Sequence, residues 1–300
     1  MVMLGIGQSK LANLKKIPIL LDTDPGNDID DALAISYLLM KPECELLGIT
    51  TVTGPVEQRA AIAEVLCYAV GRTDIPIVCG RSEVLEYGQG QPWCAQYEPI
   101  SSLPHRLDRK RDKAVEFLQQ TIRSRPGEIT LLSIGPFSNI ALLFELDPEI
   151  PYLLKGFVSM AGAFHTSTID AEWNCICDPK ATQMVSVASR PHQEWIGLDV
   201  TLQCQMTKLE CEDQFNGPLL ELVLKMATKW FDHSPNITFH DPLAAALIFH
   251  PDLCEFEQGT VIVDPDQGKT GIETGKGNDY VAKSVDSERF FTEYFKTLAV

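Results

Sequence analysis

The segment "ILLDTDPGNDIDDALAI", residues 19–35, decides how the whole chain is read. Ile19 to Leu21 read as the end of a buried strand and Pro25-Gly26 as a turn. The apolar spacing of Ala32, Ile35, Leu38 and Leu39 then predicts a helix over "DIDDALAISYLLM". Asp22, Asp24, Asp28, Asp30 and Asp31 fall between these two hydrophobic stretches, where a merely solvated acidic face does not belong. In an open α/β sheet ligands gather beyond the carboxyl ends of the strands, which is where Asp22 and Asp24 stand. Asp30 and Asp31 open the helix, whose dipole favours carboxylates there. Ionised carboxylates brought this close raise one another's pKa unless a cation compensates them. Hard oxygen donors with no neighbouring His or Cys point to Ca2+ or Mg2+. The spacing is not that of an EF-hand, because no glutamate stands at the twelfth position. Taken singly, each aspartate also fits a turn buttress or a helix cap.

Outward from this segment, strand-like and helical patterns alternate. "CELLGITTV" predicts a strand, "VEQRAAIAEVLCYAVG" a helix closed by Gly71, and "IPIVCG" a short strand. Residues 86–110 are rich in Gly, Pro and Gln and read as a long irregular segment, a length uncommon without a function. The alternation resumes with "DKAVEFLQQTIRS" (helix), "EITLLSIG" (strand), "NIALLFELDP" (helix) and "GFVSMAG" (strand), and "EWIGLDVT" is a sixth strand candidate. Residues 207–250 read as mainly helical, and the tail from Thr260 as short strands before a final helix, "SERFFTEYFKTL". The expected architecture is a single α/β domain over residues 1–300, an open, mostly parallel sheet with helices on both faces. Residues 1–16 read as a disordered N-terminal extension.

The bulk numbers narrow the functional classes. With 300 residues, 45% hydrophobic and 22% charged, the composition is that of a soluble globular protein. A net charge of −16 repels phosphate backbones, so nucleic-acid and anionic-membrane partners are not expected. The nine cysteines include one C-x-C, Cys175 and Cys177, but no zinc-like pair. The odd count, no recognisable secretory signal and no 18-residue apolar run lead to an expectation of a cytoplasmic protein with reduced thiols.

Read in order, "LDTDPG…DDALAI", "ITTVTG", "ITLLSIGPFSNIALLF", "VSMAGAFH…AEWNCICDPKAT", "LDVT" and "HDPLAAALI" resemble the inosine–uridine-preferring nucleoside hydrolases along nearly the whole chain. The resemblance implies a calcium-dependent N-ribohydrolase with a Rossmann-like core that cleaves the bond from ribose C1′ to a nucleobase. By position, Asp24, Asp31 and Asp241 would hold Ca2+ through their carboxylates and Ser138 through its backbone carbonyl. Asp24 would also be the base for the attacking water, and His240 would face the leaving base. Asp22, Asp30, Met160, Glu172 and Asn174 would bind the ribose. The implied partner is a small-molecule nucleoside, and the implied assembly a homo-dimer or homo-tetramer.

These residue types suit the chemistry. Ribosyl transfer passes through an oxocarbenium-like state, which a negatively charged site stabilises. Calcium is a weak Lewis acid, so a carboxylate base is still required. Two departures from the family pattern stand out. Asn27 and Asp28 lengthen the turn before the Asp30-Asp31 pair, and Pro55 follows "TTVTG" where a sugar-binding asparagine is usual. A haloacid-dehalogenase-type phosphatase, which also begins with a strand ending in D-x-D, and a calcium-dependent nucleoside- or ribose-binding protein are the competing readings.

Overall fold

The computed structural model describes residues 15–165 and 169–299. The expectation of a disordered extension at residues 1–16 falls, for residues 1–14, outside the described residues. Strands β1 (Ile17–Thr23), β2 (Cys44–Thr51), β3 (Ile77–Cys79), β4 (Thr130–Ser133), β5 (Gly156–Met160) and β6 (Gln193–Ile196) follow the predicted rhythm. They join β9 (Cys254–Val263), β10 (Thr270–Thr274) and β11 (Asp279–Val285) in one nine-stranded open sheet, ordered β10-β9-β11-β6-β5-β4-β1-β2-β3. From β3 across to β11 neighbouring strands are parallel, and only the β9 pairings are antiparallel. A separate ribbon pairs β7 (Gln205–Thr207) with β8 (Asn236–Thr238), a feature not foreseen in the stretch read as mainly helical.

Alternation along β1 builds both cores. Ile19 and Leu21 point into the layer made by the helices Asp30–Met40, His240–Leu247 and Ser287–Leu298. Leu20 points into the opposite layer, with the helices Ala114–Ser124, Ser138–Leu146 and Pro179–Val187. The sheet is therefore covered on both faces, as parallel sheets must be.

The chain enters the sheet at β1, moves outward through β2 and β3, then returns to β1's other side with β4. That reversal opens a crevice beyond the carboxyl ends of β1 and β4, the place where such sheets bind ligands. One expectation is corrected in part. The strand in "EWIGLDVT" stops at Ile196, and Leu198–Thr201 is a single helical turn. Gly197 brings the chain round, and Leu198 N donates to Gly162 O across the end of β5.

Candidate active site

A cavity of about 390 Å³ occupies this crevice, lined by Asp24, Asp28, Asp30, Asp31, Glu172 and Asp241 among others. Its acidic wall is assembled locally. β1 ends at Thr23, whose hydroxyl donates to Asp31 Oδ1 at 2.5 Å, and Asp24 N donates to the same oxygen at 3.0 Å. Asp30 and Asp31 occupy the first turn of the helix Asp30–Met40, and Asp241 that of His240–Leu247. The two helix starts meet where Asp241 N donates to Asp30 Oδ2 at 3.3 Å. Asp30, Asp31 and Asp241 each present an oxygen within 4.8 Å of the others. Asp24 lines the same cavity but lies outside that triplet.

All of these carboxylates are buried, and burial is the main force raising their pKa values. Asp31 is pushed up to about 6 and Asp28 to about 7, while Asp24, Asp30 and Asp241 are raised further by mutual repulsion. A wall of buried, mutually repelling oxygen donors is stable with its charges on only if a cation shares it. The donor set, all oxygen, fits a hard divalent ion such as Ca2+ or Mg2+.

The other expected residues are distributed as follows. Glu172 caps the helix Trp173–Cys177: Oε1 accepts from Asn174 N at 2.8 Å, and Oε2 from Cys175 N at 3.1 Å and Gly162 N at 3.2 Å. Asn174 Nδ2 donates to Ile134 O (3.0 Å) and Met160 O (3.1 Å), so what its amide offers a ligand is the oxygen. Met160, Glu172, Asn174 and His240 all line the cavity. His240 Nδ1 pairs with Thr201 Oγ1 at 2.7 Å, and burial lowers its pKa to about 4. At neutral pH it is therefore an uncharged imidazole.

Two residues do not stand where expected. Ser138 is absent from the cavity wall; its hydroxyl donates to Asp178 Oδ2 at 2.6 Å, and it already belongs to the helix Ser138–Leu146. The residue of this segment that lines the cavity is Ile134, immediately after β4, whose carbonyl accepts from Asn174 Nδ2. Asp22 is set back behind the wall. Its Oδ1 accepts from Thr50 Oγ1 at 2.5 Å and Asn139 Nδ2 at 2.7 Å, and its Oδ2 is buried without a partner. It does not line the cavity, and its bonds join β1 to β2 and to the helix Ser138–Leu146.

Residues that sequence reasoning left out are Gln91, Trp93, Ile134, Leu198 and Trp230. The signal for the first two was the irregular segment 86–110; Ile134 and Leu198 lay inside the segments "ITLLSIGPFSNIALLF" and "LDVT", and Trp230 carried none. Asn27 and Asp28, the extra turn residues, both line the cavity. Turned so that both ends of its amide are satisfied, Asn27 donates to Trp93 O (3.3 Å) and accepts from Gln91 Nε2 and Trp93 Nε1, each at 3.0 Å. Gln91 Oε1 in turn accepts from Trp173 Nε1. Asn27 thus ties the turn after β1 to the far rim. Pro55 is not in the wall; it precedes the helix Val56–Ala69.

Gly135 gives a local test of this packing. A Cβ there would lie 2.7 Å from Asp24 Oδ1 and 2.8 Å from Val52 Cγ1. Gly135→Ala is therefore expected to displace the Asp24 carboxylate and to lower kcat/KM by about 10²-fold. Steady-state kinetics beside a thermal melt check it, and an active variant with an unchanged melt would show that Asp24's position is not critical.

The comparisons agree with this geometry. The family model described as inosine-uridine preferring nucleoside hydrolase matches residues 19–292. Uridine nucleosidase 1 of Arabidopsis thaliana is 32% identical over 266 residues, covering 82% of this chain and 78% of the relative. Non-specific ribonucleoside hydrolase RihC of Escherichia coli is 30% identical over 304 residues, covering 92% and 96%. Among solved structures, a purine-preferring ribonucleoside hydrolase from Gardnerella vaginalis superposes with a TM-score of 0.80 at 27% identity, covering 94% of this chain and 98% of that one. That structure shares the open, mostly parallel sheet described above. The chain belongs to the inosine-uridine preferring nucleoside hydrolase family, and the phosphatase reading falls with that assignment.

Proposed function

We propose that the chain hydrolyses the N-glycosidic bond of a ribonucleoside or related N-riboside to free base and ribose, with calcium as its cation. The observation that carries this reading is the convergence of Asp24, Asp30, Asp31 and Asp241 with Glu172 and Asn174 in one pocket. Asp30, Asp31, Asp241 and Asp24 would hold the ion, with the Ile134 carbonyl beside them. When bound, calcium supplies a positive charge that orients water and ribose hydroxyls.

The chain's own residues supply the rest. Asp24 takes the proton of the attacking water. The ring of carboxylates stabilises positive charge as the ribose becomes oxocarbenium-like. Glu172 and the Asn174 oxygen accept hydrogen bonds from sugar hydroxyls, which favours a ribose over an analogue lacking them. The tautomer in which Thr201 donates to His240 Nδ1 puts the N–H on Nε2, where it can donate a hydrogen bond to the departing base. Trp93, Trp173 and Trp230 offer aromatic faces against which a planar base can lie.

Product analysis in water enriched in heavy oxygen tests the reaction. Ribose carrying solvent oxygen at C1, released with free base, is the expected result; ribose phosphate, or a nucleoside bound but not cleaved, would exclude hydrolysis. Among the described residues no helix is long and apolar enough to cross a membrane. Cytoplasmic placement and a homo-dimer or homo-tetramer belong to the same proposal, and light scattering on the purified chain decides the assembly.

A further inference from the structure

Arg59 lies on the helix Val56–Ala69 and is fully buried. A helix arginine ordinarily extends its charged head into water. This one turns inward, and its guanidinium spans three separate pieces of chain. Nε donates to Thr53 O at 2.6 Å, in the loop after β2. Nη1 donates to Asp24 O and, at 3.0 Å, to Pro25 O, in the turn after β1. Nη2 donates to Gln91 O at 2.9 Å and reaches Trp93 O at 3.5 Å. Among the described residues, all of its hydrogen bonds run to backbone carbonyls, and none to a carboxylate.

A buried cation with no ion-pair partner is expensive, because its hydration is lost and no opposite charge in contact replaces it. The field of the acidic wall offsets part of that cost. In return Arg59 pulls the Asp24 and Asp31 pKa values back down against the burial that raises them.

The segments it joins are those that shape the cavity. Asp24, Gln91 and Trp93 all line it. The Thr53 carbonyl belongs to a strained loop, since this β-branched residue holds φ at 65°. Beside it Gly54 lies so close to the 91–92 segment that a Cβ would meet Gln91 O at 2.1 Å. Gly26 is pressed in the same way, its missing Cβ only 2.4 Å from Cys94 Sγ. Gln96 N donates to Gly26 O at 3.0 Å, a second tie between the same segments.

We infer that Arg59 is a positioning residue for this reaction, its planar fork locking the Asp24 turn to the Gln91–Trp93 segment so that the cation-side and rim walls of the cavity are held as one unit. The inference rests on the hydrolase reading of the pocket. It also explains the choice of side chain. Lysine has a single nitrogen and cannot bridge three segments, whereas the guanidinium presents donors in several fixed directions.

The test uses the full chain with Arg59→Lys, which keeps the charge and loses the fork, and Arg59→Ala, which leaves a hole for added guanidinium ion. Amide hydrogen exchange is followed by peptide, and kcat and KM are measured with calcium present. In Arg59→Lys, exchange is expected to accelerate by about tenfold or more in peptides covering 24–28 and 91–97, with β4 and β5 unchanged. Its kcat is expected to fall by about 10²-fold, with a smaller change in KM. Guanidinium at millimolar concentration should restore part of kcat in Arg59→Ala and none in Arg59→Lys. Wild-type exchange and kcat in Arg59→Lys would overturn the inference, and so would acceleration spread evenly over the sheet, which marks a general folding role. Failure of the wild-type chain to cleave any nucleoside would instead remove the hydrolase reading, while the exchange pattern would still decide whether Arg59 locks the two segments.

Discussion

Replacing Asp24 by asparagine is expected to lower kcat/KM by about 10⁴-fold, the upper end of what a positioned base contributes. The substitution isolates charge and basicity from packing. Asp24 is buried, its amide is fixed by Asp31 Oδ1, its carbonyl by Arg59, and its carboxylate rests on Gly135. Asparagine has the same shape and fills the same space, so the turn keeps its course. What is lost is a lone pair able to take a proton and one negative charge facing the developing oxocarbenium. The measurement is kcat/KM at saturating cation with a thermal melt as control. A variant within about threefold of wild type would move the base elsewhere in the pocket, because a positioned base contributes at least about 10²-fold.

The second large effect concerns the cation and pH together. In the metal-free protein Asp31 titrates near 6 and Asp28 and Asp22 near 7, all raised from 3.8 chiefly by burial. A carboxyl whose folded pKa is raised holds its proton in the folded chain after the unfolded chain has lost it. Stability therefore falls as pH rises from about 4 to about 7, and the penalty from these three groups is fully present above that window, with Asp24, Asp30 and Asp241 adding theirs at higher pH. The cation-free chain is expected to melt at a higher temperature near pH 5 than near pH 8. A divalent cation opposes this trend, because it compensates ionised carboxylates and must compete with protons at low pH. At a hundredfold excess over Kd, binding stabilises by about 2.7 kcal/mol. In a chain of 300 residues that raises Tm by about 4 °C near pH 8 and by less near pH 5. Equal shifts at both pH values would mean that the cation binds away from these carboxylates.

Much of the fold is legible because β1 and its neighbours carry uninterrupted aliphatic runs that only a two-face-covered sheet can bury, while each helix shows its own apolar spacing. The aspartate cluster is legible for a related reason: Asp24, Asp30 and Asp31 interrupt that hydrophobic pattern at a strand end and a helix start, where charge needs a partner. Which side chain reaches the cavity is less legible. Asp22 and Asp24 differ by two positions, yet Asp22 lies within β1, held by Thr50 and Asn139, and only Asp24 emerges beyond it. The same geometry separates Ile134 from Ser138. Ile134 stands just past a strand end and lines the crevice, whereas Ser138 is already committed to a helix, whose early carbonyls are taken by the next turn.

Long-range packing is the part that spacing does not encode. Gln91 and Trp93 come to the site from a segment with no periodicity, and their place depends on carbonyls gathered by Arg59 some thirty positions away in sequence. In "VEQRAAIAEVL" that arginine looks like any solvated helix charge. The two extra residues Asn27 and Asp28 were visible as an insertion, but the hydrogen bonds of Asn27 to the far rim are a product of the folded loops.

The most direct test of the central claim is release of reducing sugar from a panel of ribonucleosides, deoxyribonucleosides and nicotinamide riboside, in calcium and in chelator. The account predicts release from at least one ribonucleoside or N-riboside, abolished by chelator and restored by calcium, with the deoxyribonucleosides cleaved far more slowly. Release indifferent to the chelator, or silence across the panel with calcium bound, would contradict it.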